Sequence, residues 1–76
     1  MLPSTGPKIT TGTLLKLRYP GWRHSVIYRV HVIKSINGCP KQFTLFNLDT
    51  QQVLTVQAKT IYKIIESGWM AINGRI

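Results

Sequence analysis

The sequence predicts a mainly β chain of α+β class: a bent antiparallel sheet or partly open barrel of four to five strands, with one short C-terminal helix. Three observations predict it. Apolar residues recur with a period of two in separate short stretches, the pattern of strands with one buried face. The connections between these stretches are of hairpin length and rich in turn-forming residues. Near the C-terminus the period changes to the i, i+3, i+4 spacing of a helix. Composition agrees, because Ile, Val and Thr, all strand formers, fill 22 of the 76 positions.

The elements follow in order. Residues 1–11 carry Pro3, Gly6 and Pro7 among Ser and Thr and read as a flexible N-terminal arm, leaving 12–76 as a single domain. The first strand runs from Thr13 to Tyr19, with Leu15 and Leu17 on one face and Lys16 and Arg18 on the other. Pro20 and Gly21 end it and place Trp22, Arg23 and His24 on a loop. From Val26 the alternation returns: Val26, Tyr28, Val30 and Val32 share the core face, and Ile27, Arg29 and His31 the other. Asn37-Gly38 is a strong turn signal, and Pro40 just after it predicts a looser hairpin than a two-residue one.

Phe43 to Leu48 makes a third strand, apolar on both sides in part and therefore central. Asn47 and Asp49 supply turn-forming side chains after it, and a fourth strand from Val53 to Gln57 turns Leu54 and Val56 inward. In "AKTIYKIIESG" the spacing of Ile61, Ile64 and Ile65 predicts a helix, with Gly68 at its C-terminal cap. "WMAI" adds a short fifth strand. Tyr28 is read as a core residue, Tyr62 as part of the solvated helix face, and Trp69 as packed under the helix terminus.

Size and charge bound what such a domain does. A chain this short buries only about 60% of the surface it exposes when unfolded, so its core is thin. Ten Lys and Arg face only Asp49 and Glu66, a formal net charge of +8. Self-repulsion that keeps a domain dispersed is one use of such charge, and a polyanionic partner is the other. Nucleic acid is the simplest polyanion, ahead of an anionic membrane or an acidic protein. The single cysteine, Cys39, excludes an intramolecular disulfide and fits a reducing compartment. No apolar run approaches the roughly 20 residues that span a bilayer, and "MLPSTGPK" lacks the apolar centre of a signal peptide. The expected location is cytoplasmic.

Catalysis finds little in the sequence. Two carboxylates, one in a turn and one near a helix end, do not suggest an acid and base pair. A zinc site would need His24, His31, Cys39 and Asp49 to converge across two turns. Metal-independent cleavage of RNA by His31 with Arg29 and Arg23 has a base and cations but no second acid or base. The expectation is a non-enzymatic chain that uses no cofactor and no metal.

Binding is better supported. If the first two strands pair, Lys16 and Arg18 lie beside Arg29 and His31 on one outward face, with Trp22 and Arg23 overhanging it from the loop. Dispersed cations suit the phosphate backbone, and a planar apolar side chain suits a base or sugar. Lys16, Arg18, Trp22, Arg23, Arg29 and His31 are therefore the candidate nucleic-acid-binding residues. The same cations would also steer the chain onto an acidic host protein or nucleoprotein, as an inhibitor or adaptor does. An open sheet edge allows a weak homodimer beside the monomer.

The stretch from Gly12 to Met70 resembles the small β-rich module at the N-terminus of Mu-type DDE transposases. The features that carry the likeness are the "YRV" strand (Tyr28, Arg29, Val30), the "NLDT" turn (Asn47 to Thr50) and the helix end with Ser67, Gly68 and Met70. The same outline is similar to Src-homology-3-like barrels. No DDE triad exists here. The resemblance implies a module of a phage or mobile element that touches DNA, ahead of RNA, or a nucleoprotein partner, and it assigns no site residue.

Overall fold

The computed structural model describes residues 9–75. The chain forms β1 (Thr13–Leu17), β2 (Val26–Ile36), β3 (Cys39–Asn47), β4 (Val53–Gln57), α1 (Ala58–Glu66) and β5 (Met70–Arg75). All strands pair antiparallel in one sheet of order β4-β3-β2-β1-β5, which is not closed into a barrel. This is the mainly β, α+β architecture with one short helix, consistent with a Src-homology-3-like fold. The helix joins the two rims of the sheet and lies against β3, β4 and β5 across one face. No described helix or strand lies on the other face.

The period of two explains which face is greasy. Leu15 and Leu17 of β1, Val30 of β2, Phe43 and Leu45 of β3, and Met70 of β5 are buried with Ala58 and Ile61 of the helix. Ile9, counted above with the arm, is buried in the same cluster, and Thr10 donates its amide to the Thr13 hydroxyl at 3.0 Å. The rest of the expected arm, 1–8, lies outside the described residues.

β2 departs from strict alternation. Val30 pairs with Leu45 and Val32 with Thr44, so His31 is the extra residue of a bulge. That extra residue reverses the phase. Val32, expected in the core, is 48% exposed, and Ile33 opposite Phe43 takes its place against the core. The β2–β3 turn also differs from expectation, because Ile36 pairs directly with Cys39 and leaves a two-residue turn. Asn37 and Gly38 both hold positive φ, 53° and 79°, as the twist-compatible type I′ turn requires. Pro40 is tolerated because the register shifts between Lys34 and Ser35, at a break in the ladder where its missing N–H costs little.

The β3–β4 loop is built by Asn47. Its side-chain oxygen accepts from the amides of Asp49 at 2.8 Å and Thr50 at 3.0 Å, closing an Asx turn.

The helix ends by a device that matters for the site. Gly68 at φ 87° donates its amide to Ile65 and the amide of Trp69 reaches back to Ile64, the two bonds of a Schellman cap. A Cβ at Gly68 would meet nothing within 4 Å, so its replacement is opposed by backbone strain alone. Gly68→Ala should therefore destabilise the domain by about 1 kcal/mol, read as a lower urea midpoint at unchanged slope. Tyr62 corrects a further expectation: its ring packs edge-on against Phe43 at 6.1 Å, half-buried on the core and not on a solvated face. Tyr28, opposite Leu15, packs against the core as the alternation predicts.

Candidate nucleic-acid interface

The outward face of the sheet is set by cross-strand register. Lys16 of β1 stands between Ile27 of β2 and Ala71 of β5. Arg29 stands between Leu14 of β1 and Phe46 of β3, and Phe46 in turn faces Val53 of β4. Lys16 and Arg29 are thus diagonal neighbours, a spacing of about 7–8 Å between backbones. Arg29 is half-buried and its guanidinium carbon lies 5.3 Å from the centroid of the Phe46 ring, a cation–π contact that holds the charge against the sheet. His31, at the bulge, is exposed and lies beyond Arg29 along β2. This face is therefore mixed, with Lys16 and Arg29 set among Leu14, Ile27, Phe46 and Val53.

Arg18 follows β1 directly, exposed, and its amide donates to the carbonyl of Trp69 at 2.8 Å. Its Nε donates to the Trp22 carbonyl at 3.1 Å and ties the guanidinium to the loop between β1 and β2. The loop folds back on itself through the Trp22 amide, which donates to Tyr19 at 3.1 Å. Arg23 and His24 are exposed on it. With two side-chain carboxylates, Asp49 and Glu66, against ten Lys and Arg, most of the cations have no internal counter-charge.

Trp22 is 39% exposed, and its ring meets that of Tyr19 edge to face at 5.0 Å and 80°. Tyr19 meets Trp69 in the same manner at 5.1 Å and 65°. Trp69 is 42% exposed, so it does not pack away under the helix terminus as the sequence suggested. The Schellman cap swings it instead beside the end of β1. Sequence reasoning missed Tyr19 and Trp69 as site residues because they lie fifty positions apart and meet only through the pairing of β1 with β5. The available signal was the pair of aromatic residues that follow strand and helix ends marked by Pro20-Gly21 and Gly68.

A second cationic feature was also missed. Lys34, Lys41 and Lys59 line a groove of about 510 Å³ with Pro40 and Tyr62, where the β2–β3 hairpin meets the start of α1. Lys34 lies eight residues along β2 from Val26, about 26 Å from the loop by strand rise. The groove and the loop are separate surfaces.

Among the described residues no cluster of three His, Cys, Asp or Glu is placed to hold a metal ion. Cys39 is exposed and unbridged. No described helix is long and apolar enough to cross a membrane. No protein-family model, curated protein or solved structure matches the chain, so the likeness to the transposase module stands on the residues quoted for it.

Proposed function

We propose that the chain is a non-enzymatic nucleic-acid-binding module of a phage or mobile genetic element, DNA ahead of RNA, acting through the outward face of the β1–β2 hairpin and the loop that joins it. The observation that carries this reading is the placement of Lys16 and Arg29 as diagonal neighbours on a sheet face that no described helix or strand covers. Arg18 and Arg23 extend the charge to the loop, and His31 extends the polar strip past the bulge. Phosphate contacts of this kind position a strand without reading its sequence. The assignment to a phage or mobile element, and to DNA, rests on the transposase likeness.

Fluorescence anisotropy of a labelled duplex tests the reading. Five neutralised phosphates give a log–log dependence of affinity on salt with a slope of about −4.5. Affinity that does not change between low and high salt would exclude a phosphate-binding face. An acidic host protein is the second reading, favoured by the open rims β4 and β5, which offer strand addition as well as charge. It predicts co-purification with one protein and no retention on immobilised DNA.

A further inference from the structure

We infer that Tyr19, Trp22 and Trp69 form a stacking surface for the unpaired bases of a single-stranded nucleic acid, with Arg18 and Arg23 holding the phosphates beside it. The inference rests on the nucleic-acid reading and narrows it to one class of strand.

The first ground is exposure. A domain with so thin a core gains from every aromatic ring it buries, yet both indoles remain about two-fifths exposed while Phe43 is fully buried. The second ground is rigidity. Trp69 is fixed through its amide to Ile64 and through its carbonyl to Arg18, and Trp22 through its amide to Tyr19 and its carbonyl to the Arg18 side chain. These bonds tie the backbone at both residues and the edge-to-face contacts with Tyr19 restrain the rings, so little freedom is lost when a ligand arrives. The third ground is ring geometry. Each indole meets Tyr19 edge to face, which occupies at most one of its faces. A free indole face accepts a base of any identity.

Charge selects the occupant. Arg18 and Arg23 lie in the same short segment as Trp22, in a chain of net charge +8, so the ligand that meets the rings is anionic and carries planar groups. Single strands fit this description and duplexes do not, because paired bases are stacked on one another and offer the rings only their edges. A duplex reaches the cations alone.

The chain itself supplies the readout, since its two tryptophans both sit in the cluster and tryptophan emission, excited selectively over tyrosine, reports on the cluster alone. The full chain is titrated at one salt concentration with oligothymidylate of about 12 nucleotides, a duplex of the same length, and an abasic oligomer carrying the same phosphates. Oligothymidylate is expected to quench emission strongly and to bind roughly tenfold more tightly than the abasic oligomer. Trp22→Leu should remove that advantage, bringing oligothymidylate and the abasic oligomer to equal affinity. Trp69→Leu should do the same, and retention of the wild-type circular dichroism shows that each variant is folded. Equal binding of all three oligomers with unaltered emission would overturn the stacking surface and leave the nucleic-acid reading standing. Binding of none would overturn both. Emission that responds only to an acidic peptide, titrated as a fourth ligand, would transfer the cluster to a protein partner and likewise overturn the inference.

Discussion

Phe43→Ala is expected to cost the domain a large share of its stability. Phe43 is the largest fully buried side chain, it sits on β3 between Ile33 and Val56, and the Tyr62 ring packs edge-on against it. Removing a buried phenyl ring costs about 3–5 kcal/mol, through lost transfer energy and the cavity left behind. A domain of 76 residues has a total stability of about 4–11 kcal/mol at the usual value per residue. The substitution therefore removes from about a quarter to all of it. Urea unfolding followed by tryptophan emission measures the effect, and a midpoint close to wild type would show that the helix and sheet do not share one core at this position. Tyr62→Ala provides the graded comparison, because that ring is only half-buried.

The triple replacement of Lys16, Arg23 and Arg29 by alanine carries the largest expected functional effect. None of the three side chains donates a hydrogen bond to a described residue, the backbone ladder is untouched by alanine, and Arg29 gives up its contact with Phe46, so folding is retained. Each phosphate released from a cation weakens binding by a factor that scales with salt to about the 0.9 power. At roughly 0.1 M salt three such contacts amount to a few hundred-fold in affinity, and the salt slope becomes shallower by about 3. The matching replacement of Lys34, Lys41 and Lys59 locates the interface. An equal or larger loss from that groove would move the docking surface to the hairpin end of the molecule.

Much of the fold was legible because it is written in local signals. Leu15 and Leu17 against Lys16 give β1 its two faces, Asn37-Gly38 closes the first long hairpin, and Gly68 stops the helix, each through a preference of its own backbone or side chain. The features that were not legible depend on partners distant in sequence. The bulge at His31 leaves no mark in "VIYRVHVIK", where the alternation reads cleanly through Val32, and only pairing with β3 shows that the chain carries one residue too many. Tyr62 has a lysine beside it in sequence and looks solvated until Phe43 is placed under it. Of the candidate site, the outward cations of the hairpin could be read from alternation. The aromatic cluster could not, since two of its three rings take their positions from how β5 returns to β1.

The rim strand β4 has a practical consequence. Its sequence, VLTVQ, contains neither lysine nor proline, and Val53 and Leu54 stand 63% and 46% exposed on an edge that no described strand pairs. Proteins usually guard such edges with charge or a kink. Here the guard is the repulsion between whole molecules, which reaches about 10 Å at 0.1 M salt and about 3 Å at 1 M. Concentrated stocks will keep best in dilute buffer, and turbidity will begin as salt is raised or as a polyanion cancels the charge. A lysine in place of Val53 removes that sensitivity.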